Sequence, residues 1–522
     1  MGSLCPTKGY PLFNLPMNPP QIHTIGELKR SGYVFRTVKE ELRHNLIAKL
    51  KSKEPIFQGM IGYERTVIPQ IQHALLARHD LILLGLRGQG KTRLIRMLAS
   101  LLDEFIPYIE GSELNENPLH PISKFGRTMI AEKGDETPIA WLHRSERYTE
   151  KLATPDTNMA DLIGDIDPIK AATRRLTYAD EEVIHFGLIP RANRGIFAIN
   201  ELPDLQPRIQ VGLLNIMEEQ DVQIRGFNLR IPLDLLLVFT ANPEDYTNRG
   251  NIITPLKDRI DSQIITHYPK DLETGIEITR QEAWQERGGI HVNVPHFFRE
   301  IIEQVAFEAR TSEYIDQKSG VSVRMTRSAL EALISAAERR ALLQHESVTT
   351  LRILDLLQVE PAITGKVELV YEGEQEGVQN VARRLIGKAL KAIFLRYFPD
   401  PTDKKNGKKA YKPILDWFAN GNSLTFRHEM DQNHYQSLLL QVSGLENLVQ
   451  KHFSTSTAPE RFVLMEWVLE ALHQHSLVGK DYAESLTSYS DLVGSMLSGL
   501  GNMTDDDDDD WDNKDNYRRP PR

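Results

Sequence analysis

An α/β fold with a mostly parallel sheet, carrying a helical lid and a further, mostly helical C-terminal region, is what this sequence predicts, and three observations predict it. Between residues 57 and 269, short apolar runs ("DLILLGL", "RGIFAIN", "LDLLLVFTAN", "DSQIITHYP") alternate with helical stretches such as "TRLIRMLASLLDEF" and "RIQVGLLNIMEEQ", the alternation of a sheet whose strands are joined by helices. One of those runs leads directly into a glycine-rich turn and then a helix. From residue 271 onward the apolar spacing is helical almost throughout, as in "HFFREIIEQVAFEARTSEYI" and "TRSALEALISAAERRALLQ".

Composition sets the outer bounds. A chain of 522 residues exceeds the usual size of one core, so several structural units are expected. With 40% hydrophobic and 26% charged residues the composition is that of an ordinary soluble protein, and no apolar run approaches the roughly 18 residues of a membrane span. The opening "MGSLCPTKGYPLFNLPMNPP" lacks the order of a secretory signal, and Pro6 stands where a lipidation pattern requires Ser or Thr. A single cysteine, Cys5, excludes a disulfide framework or thiolate metal site, and a cytoplasmic location is expected. The net charge of −10 argues against nucleic acid as a partner.

Taken in order, residues 1–55 read as a proline-punctuated arm and a helical leader ("GELKRSGYVFRTVKEELRHNLIAKLKS") packed on the next domain. Residues 56–270 form the α/β core, 271–359 a helical lid and 360–500 a mostly helical region broken by "FPDPTDKKNGKKAYKP", which reads as a surface loop. The end, residues 501–522, contains six consecutive aspartates and almost nothing apolar to bury, the composition of a disordered tail.

The strongest chemical signal is "LILLGLRGQGKTRLIRML": a strand, then Gly85-x-x-x-x-Gly90-Lys91-Thr92, then a helix. Backbone N–H groups along Gly85, Leu86, Arg87, Gly88, Gln89 and Gly90 must curl round a phosphate, and side chains at the glycines would obstruct that approach. Lys91 neutralises β and γ oxygens, and Thr92 offers a hydroxyl to Mg²⁺ at the positive end of the helix. Four other stretches accompany it. "FQGMIGYERTVIPQIQHALLARHD" places Gly59 and Gly62 where backbone could approach a base, or where a strand simply turns into a helix. "LLLVFTANPEDY" ends an apolar strand in Asn242, able to bond a phosphate or the attacking water, or to form an Asn-Pro turn. "TPLKDRIDSQII" presents Arg259, a transition-state cation for a neighbouring subunit's site or a surface ion pair. "SGVSVRMTRSALEAL" opens a helix at Arg324.

With these stretches in line the chain resembles the AAA+ ATPases of the magnesium chelatase I subunit and MoxR type, from about Phe57 to Ala341. "LATPDTNMADLIGDIDPIKAA" followed by "HFGLIPRANRGIFAINELPDL" is similar to that group's insertion before the Walker B strand. The resemblance implies a P-loop AAA+ core that binds and hydrolyses ATP with Mg²⁺. It makes Gly85 to Thr92 Walker A, Asn200 and Glu201 Walker B, Asn242 sensor 1, Arg259 the arginine finger and Arg324 sensor 2, with Arg249 and Arg327 as nearby alternatives for the last two. It implies further a ring of identical subunits, a hexamer, that remodels or metal-loads a client protein with a von Willebrand A domain partner. Related transcriptional activators usually carry a GAFTGA loop and a helix-turn-helix, neither of which this sequence shows, and a chelatase I subunit usually ends soon after its lid.

One position departs from the pattern. "GIFAINELPDL" ends its strand in Asn200 followed by Glu201, where an aspartate normally precedes the glutamate. Asparagine keeps an acceptor for a Mg²⁺-bound water but loses one charge in the second shell of the metal, and Asp204 lies close enough in sequence to restore it. The expectation is a competent, slow ATPase; the alternative is an assembly or regulatory scaffold switched by ATP occupancy.

Overall fold

The computed structural model describes residues 19–167, 169, 173, 181–224, 230–243, 250–403, 407–483 and 486–492. Cys5 and the proline-rich arm, Arg249 and the aspartate tail therefore lie outside the described residues. The chain forms two compact units that meet in sequence between Lys270 and Asp271.

In the first unit five apolar runs make one sheet: β1 (Leu81–Leu84), β2 (Tyr148–Leu152), β3 (Gly195–Asn200), β4 (Leu235–Ala241) and β5 (Ser262–Ile265). Their order is β5-β1-β4-β3-β2 and every pairing is parallel. The three inner strands are buried at every position, as strands covered by helices on both faces must be. Alternate residues serve opposite faces. Leu81, Leu83, Ile196, Ala198, Leu236 and Val238 pack with α1 (Val38–Ser52), α2 (Val67–Ala77) and α3 (Lys91–Met97). Ile82, Leu84, Phe197, Ile199, Leu237 and Phe239 pack with α4 (Pro207–Glu219) and α5 (Thr254–Arg259). The leader is two helices, Ile25–Arg30 and α1, parted where Gly32 takes φ +73°. A Thr37–Glu40 capping box starts α1, and its Val38, Leu42 and Leu46 join the apolar layer beneath the sheet.

The second unit is built on α6 (Leu272–Glu282), α7 (His296–Thr311), α8 (Arg324–Leu343), α9 (Val378–Tyr397), α10 (Gly407–Ala419) and α11 (Ala458–Gln474). The expected lid over 271–359 and the expected region over 360–500 contribute to one apolar core running from Phe297 to Tyr489. At its centre the buried Trp467 stacks on Phe297, with ring centroids 4.7 Å apart. Besides helices, this unit contains an antiparallel sheet of Leu424–Arg427, Leu486–Ser490 and Gly479–Ala483. The surface loop expected over "FPDPTDKKNGKKAYKP" is corrected: its second half enters α10, which contains Pro413. Tyr411, Ile414 and Phe418 recur at helical spacing and are all buried, and that packing overrides the local breakers.

Candidate functional site

The strand order assembles the site. Because β4 lies between β1 and β3, the residues that follow these three strands converge at one edge of the sheet, the carboxyl edge where open parallel sheets bind ligands. The glycine-rich loop follows β1, Asn200 ends β3 and Asn242 follows β4. Pairing of Leu84 with Ala241 and of Ile199 with Phe239 sets their register.

Four of the expected residues are brought together. The Lys91 ammonium, largely buried, donates to the carbonyls of Gly85 and Leu86 (3.1 Å for the latter) and to Asn242 Oδ1 at 2.6 Å. Asn242 Nδ2 in turn donates to Glu201 Oε2 at 3.0 Å. An amide between an ammonium and a carboxylate can face only one way, oxygen to the cation and NH₂ to the anion. Glu201 takes a left-handed backbone (φ +56°, ψ +50°), a conformation that costs a non-glycine residue roughly 1 kcal/mol and turns its side chain out of the β3 line. Its N–H donates to Thr240 Oγ1 at 3.1 Å, and the Thr240 hydroxyl donates to Asn200 Oδ1 at 3.1 Å. Asn200 is therefore tied to Glu201 through Thr240, and it is 7% exposed.

The loop itself is braced by groups far away in sequence. Gly88 and Gly90 both adopt φ +75°, which glycine reaches without penalty. At Gly85 a Cβ would stand 2.0 Å from Thr266 Oγ1 and 2.1 Å from Gln89 Oε1, so a larger residue would have to displace the hydrogen-bonded Thr266 and Gln89 side chains. The Thr266 hydroxyl, just past β5, bonds Gln89 Oε1 at 2.6 Å. Tyr268 donates to the Arg87 carbonyl at 2.8 Å, and the one Tyr63 hydroxyl proton is shared between the carbonyls of Gln89 and His267, each at 2.8 Å. Burial pushes the Tyr63 hydroxyl up to about 12, which keeps it a donor. With the carbonyls of Arg87 and Gln89 held from outside, the loop is fixed in a shape that glycine alone merely permits. Gly59 and Gly62 both lie in turns with positive φ, and Met60 and Tyr63 beside them are buried in the layer that contains Leu94 and Ile95 of α3.

Three arginines lie on other elements. Arg259 ends α5 and is engaged with Glu218 of its own chain, Nε and Nη2 reaching Oε2 at 2.9 and 2.6 Å. Arg324 opens α8 in the second unit, exposed, its backbone N–H bonded to Ser322 Oγ at 3.1 Å. Arg327 lies 3.7 Å from Glu331. Asp204 closes a short 3₁₀ turn whose N–H returns to the Glu201 carbonyl at 2.9 Å.

Sequence reasoning missed Tyr63, Thr240, Thr266 and Tyr268. Thr240 had a signal, being the one hydroxyl in the apolar run "LLLVFTA". The other three lie in "MIGYERT" and "IITHYP" and carry no local pattern that points to the loop.

The residues present fit a Mg²⁺-bound nucleoside triphosphate. A Cβ at Gly85 would crowd the Thr266 and Gln89 side chains that brace the loop, the Lys91 ammonium sits among oxygen acceptors of the kind phosphate provides, and a threonine hydroxyl, a carboxylate and a carboxamide suit a hard cation.

Comparisons with known proteins found the following likenesses. Residues 174–265 match the family described as the Sigma-54 interaction domain. The magnesium-chelatase 38 kDa subunit of Cereibacter sphaeroides is 29% identical over 243 residues, 44% of this chain and 65% of that protein. The magnesium-chelatase subunit ChlI of Guillardia theta is 29% identical over 241 residues, 45% of this chain and 64% of that protein. The match thus spans less than two thirds of the length of these relatives. A solved structure of the complex between subunits BchI and BchD of magnesium chelatase aligns with a TM-score of 0.32 at 18% identity, over 61% of this chain and 98% of that one. By sequence the chain resembles the AAA+ ATPases of the magnesium chelatase I subunit type, and its first unit is a parallel α/β sheet with a phosphate-loop pattern directly after β1.

Proposed function

We propose that this protein is a Mg²⁺-dependent ATPase that works as a ring of identical subunits, a hexamer, in the cytoplasm and spends ATP turnover on remodelling or metal-loading a client protein, together with a von Willebrand A domain partner. The observation that carries the reading is the line Lys91–Asn242–Glu201, which joins the phosphate loop to a carboxylate through one amide. The sequence likeness to magnesium-chelatase subunits supports it. Among the described residues no helix is long and apolar enough to cross a membrane.

On this reading each residue has a task. The N–H groups of the loop and the Lys91 ammonium hold the phosphates, with Thr92 and Asn200 on the side of the cation. Mg²⁺, when bound, supplies positive charge to the phosphate oxygens. Glu201 accepts a proton from, or polarises, the attacking water, and Asn242 orients it. Arg259 acts on the nucleotide of a neighbouring subunit and Arg324 is the sensor of its own. Phosphoryl transfer asks a protein mainly for positioning and charge, and this set supplies both.

Asn200 favours a second reading, a nucleotide-gated scaffold with little hydrolysis, because the second-shell charge is missing and one of the two lone pairs of the amide oxygen is engaged by Thr240. The Sigma-54 interaction domain match over 174–265 leaves a transcriptional-activator-like role as a further alternative. Steady-state ATPase of the assembled protein separates turnover from gating, with Glu201→Gln as the control that binds without cleaving. A pull-down on that variant with ATP identifies the client. Absence of hydrolysis in the assembled wild type overturns the ATPase reading.

A further inference from the structure

Arg259 is held by its own chain in a particular way. Its Nε and Nη2 both donate to Glu218 Oε2, at 2.9 and 2.6 Å, and its Nη1 donates to the Pro255 carbonyl at 3.0 Å. A guanidinium carries five N–H bonds in one plane. Three are used, and among the described residues the remaining two, one on each terminal nitrogen, are left to bind a further acceptor. Guanidinium N–H groups are donors well matched to phosphoryl oxygens.

The support beneath this pair is rigid. Leu256 of α5 is fully buried with Ile209, Leu213 and Ile216 of α4. The buried Gln210 of α4 accepts from the Ile253 N–H at 2.9 Å and donates to the Asn251 carbonyl at 3.0 Å, which clamps the start of α5. Glu218 stands at the carboxyl end of α4, where a carboxylate is disfavoured unless a cation faces it. The pair is exposed, with 31% and 57% of the two side chains accessible. An ion pair so open to water adds little stability, so what it does is hold a direction.

We propose that Glu218 is a positioning residue: it fixes the plane of the Arg259 guanidinium so that its outer edge meets the triphosphate of a neighbouring subunit. The proposal rests on the reading of Arg259 as a cation acting in trans. Glu218 does not touch the nucleotide; it removes the rotamer freedom that Arg259 would otherwise lose at each turnover.

The test compares wild type, Glu218→Ala, Glu218→Gln, Arg259→Ala and the double variant, each at a concentration where sedimentation shows full assembly. Expected for Glu218→Ala are an unchanged melting temperature and ATP affinity, with kcat lower by about tenfold to a hundredfold. Glu218→Gln keeps an acceptor oxygen and recovers most of the loss. The double variant is no slower than Arg259→Ala alone, since Glu218 works only through Arg259. Turnover of Glu218→Ala equal to or above wild type, while Arg259→Ala is inactive, overturns the positioning role and leaves the trans cation standing. Full turnover by Arg259→Ala overturns both.

Discussion

The side-chain amide of Asn242 donates to the Glu201 carboxylate at 3.0 Å. The same amide accepts from Lys91 at 2.6 Å, so one uncharged group separates a buried ammonium from the carboxylate that would activate water. Its removal affects both neighbours.

Asn242→Ala is expected to leave ATP binding within a few-fold of wild type and to lower kcat by about tenfold to a hundredfold, because water and carboxylate lose their alignment while Lys91 keeps its bonds to the Gly85 and Leu86 carbonyls. Nucleotide titration and steady-state kinetics on one preparation check it. A rise in the ATP dissociation constant without a change in kcat would count against the assigned role.

Lys91→Ala is expected to abolish ATP binding with the fold intact. The ammonium bonds backbone carbonyls and Asn242 rather than packing in the apolar layers, so circular dichroism and the melting curve should change little. Nucleotide affinity equal to wild type would sink the phosphate-loop assignment.

The Asn200 and Thr240 pair makes a graded prediction. Asn200→Asp retains the acceptor for the Thr240 hydroxyl and adds charge beside a cation, so the Mg²⁺ requirement should tighten with turnover equal or higher. Asn200→Ala loses that hydrogen bond, worth about 1 kcal/mol, and should weaken use of Mg·ATP. Thr240→Val also takes the acceptor from the Glu201 N–H and should be slower than Asn200→Ala, while Glu201→Gln should be slowest. A Mg²⁺ titration of ATPase on these proteins gives the order. An inactive Asn200→Asp would favour the nucleotide-gated scaffold.

Tyr268→Phe and Tyr63→Phe each delete one hydroxyl that holds a phosphate-loop carbonyl. The expected result is an ATP KM raised several-fold, about 1 kcal/mol of binding for each bond, with kcat largely kept. Since burial pushes the Tyr63 hydroxyl up to about 12, this contribution is present in the neutral range and is lost only as pH rises through that value. A KM profile that shows a Tyr63-dependent step near neutrality would contradict this.

Much of this protein is determined locally and was legible for that reason. Strand and helix periods, the glycines of the loop, and the acidic or amide residues that end apolar runs depend on neighbours a few positions away, so Gly85 to Thr92, Asn200, Glu201 and Asn242 could be named from the sequence alone. Which of them touch was decided by the order of strands in the sheet. β4 inserts between β1 and β3, and that non-local choice sets Asn242 between Lys91 and Glu201. The same holds for the hydroxyls of Tyr63, Thr240, Thr266 and Tyr268, and for Glu218 opposite Arg259, whose partners lie far off along the chain. It holds as well for α10, where burial of Tyr411, Ile414 and Phe418 outweighs a lysine-, glycine- and proline-rich sequence that by itself favours a loop. Local preferences amount to tenths of a kcal/mol to about 1 kcal/mol per residue for all but proline, whereas burying one large apolar side chain contributes about 1.5 to 3 kcal/mol. The sequence therefore determined the elements and the residue types of the site, and tertiary packing decided which of them meet.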